Sequence, residues 1–408
     1  MSYSVIYNDL KRKTNYNDPS IFLDEKTIIR NFLFISENAT ILPGESSYYC
    51  PIHSFQPADK GAFQNRIVTH PVLDIHDSEV CENKQFRYHI IAPADISIIH
   101  DFVLMFHGFN EKTWDKYLPW AREIVENTGK AVVLFPFAFH MNRSPITWSD
   151  SRQMNKVSEE RKKAFPNLIA GTFSNVAIST RLHVKPQRFI WSGLQSYYDV
   201  IQLLDQIKTG QHPFIDKNAR YDLFAYSIGA LLAQILIMTN HKDYFSTSKL
   251  CLFCGGTVFN RLSPVSRYIL DSEANVALYS YIVEHLETHL KNDLRLKHYL
   301  SGDHPEGINF CAMLNYNVNR QQREEILRKL SDQVYAIALE NDKVVPPYEV
   351  INTLQGSNRN IPIPVDIIDF DYPYKHENPF PSNMRFEPQI TEGFEKVFNR
   401  VCRFLSRS

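Results

Sequence analysis

The chain has 408 residues, 44% of them hydrophobic and 22% charged, with a formal net charge of -1. That length suits one large domain with insertions or two ordinary ones, and the composition suits a globular core. The near-neutral charge gives no electrostatic case for nucleic acid, and no apolar run is long enough to span a bilayer.

Residues 1–85 read as an irregular N-terminal extension, with weak periodicity and turn-formers at Asn17-Asp18-Pro19 and Pro43-Gly44. A charged start followed by an apolar run is missing, so no signal peptide and a cytoplasmic location are expected. From Phe86 the pattern changes. Residues 86–92 alternate like a strand, and 102–106 form a short continuous apolar run of the buried parallel kind. Helical spacing follows over 114–127, then a buried strand over 131–136 and a helix over 192–207. The run Tyr221-Asp222-Leu223-Phe224-Ala225-Tyr226 reads as a strand, and 230–238 as the helix after it. Next come a buried strand at 249–256, helices at 276–290 and 320–330, strands at 334–339 and 365–370, and a closing helix at 391–405. Strands alternating with helices predict an α/β architecture with a mostly parallel sheet.

Between the strand and helix around 227 lies Ala225-Tyr226-Ser227-Ile228-Gly229. Small residues two places either side of a serine suit a sharp strand–turn–helix elbow that lifts the hydroxyl above the sheet. A serine hydroxyl is a poor nucleophile without a base, and the base needs an acid to orient it. Functional residues in parallel sheets gather at the C-terminal ends of strands. There the chain places Asp342, in Glu340-Asn341-Asp342 before Val345-Pro346-Pro347, and later His376. His304 precedes the acid, so its order is wrong for a base. Asp371 sits too close to His376 along the chain for the acid.

The chain resembles the α/β-hydrolase superfamily over about residues 86–405. The resemblance rests on His107-Gly108-Phe109-Asn110 after an early strand, the elbow at Ser227, the Asp342 turn and a late histidine, in the order Ser, Asp, His. It implies a three-layer α/β-hydrolase fold, with a mostly parallel central sheet flanked by helices. The division would be an N-terminal extension at 1–85, a core at 86–257 and 332–408, and a helical cap insertion at 258–331. It also implies Ser227 as nucleophile, His376 as general base and Asp342 as orienting acid, with Ile228 and Phe109 N–H groups as the oxyanion hole. Ala225 departs from the usual glycine, and the loop carrying His376 is longer than common.

The expected function is a serine hydrolase, carboxylesterase-like, that cleaves a small-molecule carboxylic ester, or a thioester or amide, through an acyl-enzyme on Ser227. An acyltransferase with the same triad, or a hydrolase-fold binding protein, are the alternatives. Asn110, His140, Asn142 and Arg143 are candidate substrate contacts. The 137–148 loop is equally readable as one held by its own hydrogen bonds. Neither a cofactor nor a metal is expected. Cys251 and Cys254 read as buried thiols, and His285 and His289 as a solvated helix face. Nothing here indicates an oligomeric state.

Overall fold

The structure, a computed structural model, describes residues 2–43, 49–50, 52–56 and 70–406. Gly44 of the expected Pro43-Gly44 turn lies outside the described residues. The strands are β1 (Ser20–Phe22), β2 (Thr27–Ile35), β3 (Gln85–Pro93), β4 (Ile99–Phe106) and β5 (Ala131–Leu134). They continue with β6 (Ile215–Tyr226), β7 (Leu250–Phe253), β8 (Val334–Leu339) and β9 (Val365–Ile368). Among the described residues all belong to one nine-stranded sheet of order β1-β2-β3-β5-β4-β6-β7-β8-β9. From β5 through β9 every pairing is parallel, while β1, β2 and β3 join antiparallel at one edge.

The two faces of the sheet follow from alternation along each strand. Phe102, Leu104 and Phe106 of β4, with Leu223 and Ala225 of β6, pack on helices Arg188–Lys208 and Ile228–Thr239. Val103 and Met105, with Phe224 and Tyr226, pack on helices Tyr117–Thr128 and Glu387–Ser406. Helix, sheet and helix make three layers. This is the α/β-hydrolase fold that the resemblance implied.

The N-terminal segment departs from an irregular extension. Helix Tyr3–Lys13 lies against the closing helix: the Tyr3 and Phe394 rings are 4.9 Å apart, and the Ser4 N–H donates to Glu387 Oε1 at 2.7 Å. β2 pairs along its whole length with β3. The sequence hid this because β2 alternates only in part; its burial runs through Thr27, Ile28 and Ile29 before any exposed position.

Helices occupy much of 258–331, and two segments, one before β6 and one after β7, border the space above Ser227. Helices Ser151–Ala164 and Val176–Val184 meet helix Ser272–Tyr279, where the Arg161 guanidinium grips Asp271 through two hydrogen bonds of 2.7 and 2.9 Å. Helix Pro305–Leu314 instead packs on the core, with Asn309 Nδ2 donating to Thr239 Oγ1. Among the described residues no helix is long and apolar enough to cross a membrane.

Candidate active site

The strand order sets up the site. β4 has β5 on one side and β6 on the other, so the chain leaves β4 and β6 at a point where connections diverge, which opens a crevice at their C-terminal ends. Phe106 of β4 lies in register with Ala225 of β6, and Leu339 of β8 with Ile368 of β9. The loops after β4, β6, β8 and β9 therefore emerge at one rim. They carry Phe109, Ser227, Asp342 and His376 respectively.

Ser227 has φ 56° and ψ -123°, a region that a side chain rarely occupies. Such strain costs about 1–3 kcal/mol and survives only where the surroundings hold it. Here the neighbours leave no room for relief. A Cβ on Gly229 would come within 2.8 Å of the His107 carbonyl oxygen. One on Gly255 would lie 2.4 Å from Ala230 Cβ and 2.9 Å from the Ser227 oxygen. The turn thus depends on Gly255, beyond the pentapeptide, as well as on Gly229.

The Ser227 Oγ lies 2.7 Å from His376 Nε2, and His376 Nδ1 lies 2.7 Å from Asp342 Oδ2. A carboxylate only accepts, so Nδ1 carries the proton and the Nε2 lone pair faces the serine hydroxyl. Asp342 Oδ1 accepts from the Val344 and Val345 N–H groups, each at 2.9 Å, which fixes the carboxylate in its turn. The Val-Val-Pro-Pro turn is thus the support that aims Oδ2 at the histidine.

A profile for a family of unknown function, DUF6051, matches residues 1–406. The chain belongs to that family. No curated protein matches it. Among solved structures it is similar to carboxyl esterase 2 from the fungus Tuber melanosporum, at 13% identity over 79% of this chain and 81% of that one, with a TM-score of 0.42. It is also similar to the esterase Est22, at 10% identity over 99% and 86%, TM-score 0.46. A third is the esterase of the archaeon Pyrobaculum calidifontis, at 12% identity over 78% of each chain, TM-score 0.38.

In this DUF6051 member the long histidine loop is pinned at several points. The Tyr226 hydroxyl donates to the His376 carbonyl, and its ring stacks on the imidazole at 5.6 Å and 16°. A bridge between Lys375 and Asn378 tightens the loop, the Tyr372 hydroxyl donates to the Pro379 carbonyl at 3.0 Å, and Phe380 is buried. Tyr226 escaped sequence reading because it looks like one more core aromatic of β6.

The Ile228 and Phe109 N–H groups have no protein hydrogen-bond partner among the described residues, and both residues border the serine. His107 is structural: its Nδ1 donates to the Gly108 carbonyl and its Nε2 accepts from Phe137 N–H, and burial keeps it neutral by pushing its pKa well down. The Gly108 N–H is engaged by the Tyr117 hydroxyl at 2.8 Å.

The substrate-contact expectations need correction. Arg143 is fully buried away from the crevice; it donates to Asp199 at 2.6 Å, to Asn83 Oδ1 and to the Pro136 carbonyl, and lies over the Phe86 ring. Asn142 is exposed and donates to the Arg87 carbonyl. His140 is buried behind Phe109, 5.5 Å from its ring, with Nδ1 on the Ala138 carbonyl and its pKa pushed by burial to about 4. A loop leaving a strand's C-terminal end can turn inward to the core as readily as over the site, and this one turns inward. Asn110 does border the crevice, but its Nδ2 is spent on the Ser174 and Tyr268 carbonyls, tying the β4 loop to both covering segments.

A cavity of about 810 Å³ opens over Ser227 and His376. Trp148, Phe173, Tyr268 and Ile269 supply apolar wall from the two covering segments. Glu111, Lys112 and Lys116 add charge from the β4 loop. Lys116 pairs with Glu111 and donates to the Glu377 carbonyl at 2.9 Å. Lys112 has no ion-pair partner among the described residues, and burial lowers its pKa to about 8.

Proposed function

We propose that the chain is a serine hydrolase that cleaves carboxylic esters. The observation that carries the reading is the Ser227–His376–Asp342 relay, with both contacts at 2.7 Å, on a strained elbow beneath a cavity. His376 Nε2 takes the hydroxyl proton as Ser227 Oγ bonds to the ester carbon, and Asp342 stabilises the imidazolium. The negative charge on the former carbonyl oxygen falls between the Phe109 and Ile228 N–H groups. Collapse expels the alcohol, which receives the proton from His376. Water, deprotonated by the same nitrogen, then releases the acid and restores Ser227.

The aromatic wall suits an acyl or aryl group, and Lys112, without an ion-pair partner among the described residues, offers that wall a cation for an anionic or strongly polar substituent. A fluorophosphonate probe tests the mechanism. Labelling is expected on Ser227, absent in Ser227→Ala and reduced by about 10³-fold or more in His376→Ala. A folded wild-type chain that stays unlabelled, and turns over no ester in a panel varied in acyl length and charge, refutes the proposal.

A further inference from the structure

A second cluster of chemistry-bearing residues lies where the N-terminal segment meets the helical insertion. Cys50 and His53 come from a short turn closed by the Cys50–Phe55 bridge. His298 comes from helix Leu294–Leu300, and His304 caps helix Pro305–Leu314. One donor atom from each of the four side chains falls within 4.8 Å of every other. Cys50 Sγ is 3.7 Å from His53 Nδ1 and 3.7 Å from His304 Nε2, and the His298 and His304 Nε2 atoms are 3.1 Å apart. A tetrahedral zinc with ordinary Zn–N and Zn–S bonds has edges of about 3.3 Å between nitrogens and about 3.6 Å between sulfur and nitrogen. The three imidazoles stand nearly perpendicular in pairs, at 82°, 86° and 90°, as rings converging on one point do.

The outer contacts point the same way. His304 Nδ1 faces Glu306 Oε1 at 3.0 Å, and Glu306 is itself held by the Tyr198 hydroxyl. His298 Nδ1 faces Asp303 Oδ2 at 3.4 Å. A carboxylate on Nδ1 keeps the proton there and turns the Nε2 lone pair inward, which is how metal-ligating histidines are oriented. Both inward lone pairs then face each other and the Cys50 sulfur. Two imidazole lone pairs so arranged repel, a single Cys50 S–H can satisfy only one of them, and a cation between them removes the repulsion. Cys50, His298 and His304 are buried, so water does not take that role freely.

We propose that Cys50, His53, His298 and His304 bind one zinc ion that staples the N-terminal segment to the helical insertion. One thiolate and three imidazoles match the borderline softness of zinc, and four protein ligands make a closed, structural site rather than a catalytic one. The spacing Cys-x-x-His and His-x₅-His carries the signal in sequence. It is faint there because the halves are separated by more than two hundred residues, and neither half alone stands out from chance.

The test uses the full chain, freed of any affinity tag and purified under reducing conditions from zinc-supplied cells. Elemental analysis is expected to find about one zinc per chain. That content falls to background in a Cys50→Ser, His304→Ala double variant and persists in a His285→Ala, His289→Ala control. Cobalt exchanged into the wild-type protein is expected to give tetrahedral visible absorption with a thiolate charge-transfer band, the latter lost in Cys50→Ser. Should the double variant fail to fold, chelation of the wild-type chain reads the same point: its thermal midpoint drops and returns when zinc alone is added. Background zinc in a folded, reduced wild-type chain that takes up neither zinc nor cobalt overturns the site, and leaves a proton shared between His298 and His304 as the reason for their contact. Zinc retained by the double variant overturns it equally. Fluorophosphonate labelling of Ser227 is measured on the same samples, so failure of one proposal is distinguishable from failure of the other.

Discussion

Tyr226 sits one residue before the proposed nucleophile and holds the proposed base from behind, through its hydroxyl on the His376 carbonyl and its ring against the imidazole. It touches no reacting atom, so it acts by positioning. Tyr226→Phe is expected to lower kcat by about 10–100-fold with KM little changed, because a sub-ångström drift of the imidazole weakens proton transfer more than binding. Equal losses in kcat and structural stability would instead mean a core defect. Asp342→Asn removes the acceptor that sets the His376 tautomer, and steady-state kinetics are expected to give a kcat lower by about 10⁴-fold with the fold intact. Lys112, with Lys116 and Lys375 but not Arg143, is among the cations that border the cavity. Lys112→Met is expected to raise KM for an anionic ester by about 10-fold and leave a neutral ester unchanged. In the wild type that preference fades as pH rises through about 8, where Lys112 loses its charge. An anionic preference that is the same at pH 7 and pH 9 contradicts this role.

At the scale of elements, the elbow is a property of two adjacent turns. Ser227 follows β6, and Gly255 follows β7 and packs beneath it. Gly255→Ala pushes a methyl into Ala230 and into the Ser227 carbonyl, so the strained turn must open. Probe labelling at Ser227 is expected to fall by about 100-fold, while a melting curve separates that loss from unfolding. The 140–149 loop shows the opposite use of charge. Arg143 anchors the loop to Asp199 of helix Arg188–Lys208, and Ser36 and Asn38 complete that carboxylate's hydrogen bonds from beyond β2. Both partners are inaccessible to water. Arg143→Met strands the Asp199 charge and is expected to cost about 3–5 kcal/mol in chemical denaturation, with no change in ester charge preference.

For the molecule as a whole, burial of neutral histidines makes stability depend on pH. His89, His107, His140 and His212 are all buried, and desolvation lowers each: His89 to about 3, His140 and His212 to about 4, His107 well below its ordinary value. In the unfolded chain each titrates near 6.5. The folded state therefore binds fewer protons between about 6.5 and 4, so stability is full above that window and declines as pH falls through it. Inside that window each group contributes up to about 1.4 kcal/mol per pH unit, all with the same sign. Urea unfolding at pH 7, 6 and 5 is expected to fall steeply over the last step. A flat profile over that range would mean that these rings already hold protons in the fold.

How much of this was legible in the chain divides along physical lines. Apolar runs revealed the parallel strands from β4 to β8, because burial on both faces leaves a continuous apolar signature in local sequence, and helical spacing revealed the helices packed on them. Helices Ser151–Ala164 and Val176–Val184 lie outside that reading, and β9, at the sheet edge with Ile367 exposed, carries its signal in apolar content alone. The serine between Ala225 and Gly229 was readable because a strained turn restricts its neighbours' size, and Asp342 and His376 because each follows such a strand. Where side chains point was decided in three dimensions. Arg143 and Asn142 share a loop with residues near the cavity, yet one faces the core and the other solvent. Lys112 reaches the cavity from a position with no distinguishing pattern. β2 takes its place by pairing with β3, and Cys50 meets His304 only when the N-terminal segment and the insertion close on each other. Local patterning records what one element buries; convergence of side chains from distant segments is set by packing, which no short stretch of sequence encodes.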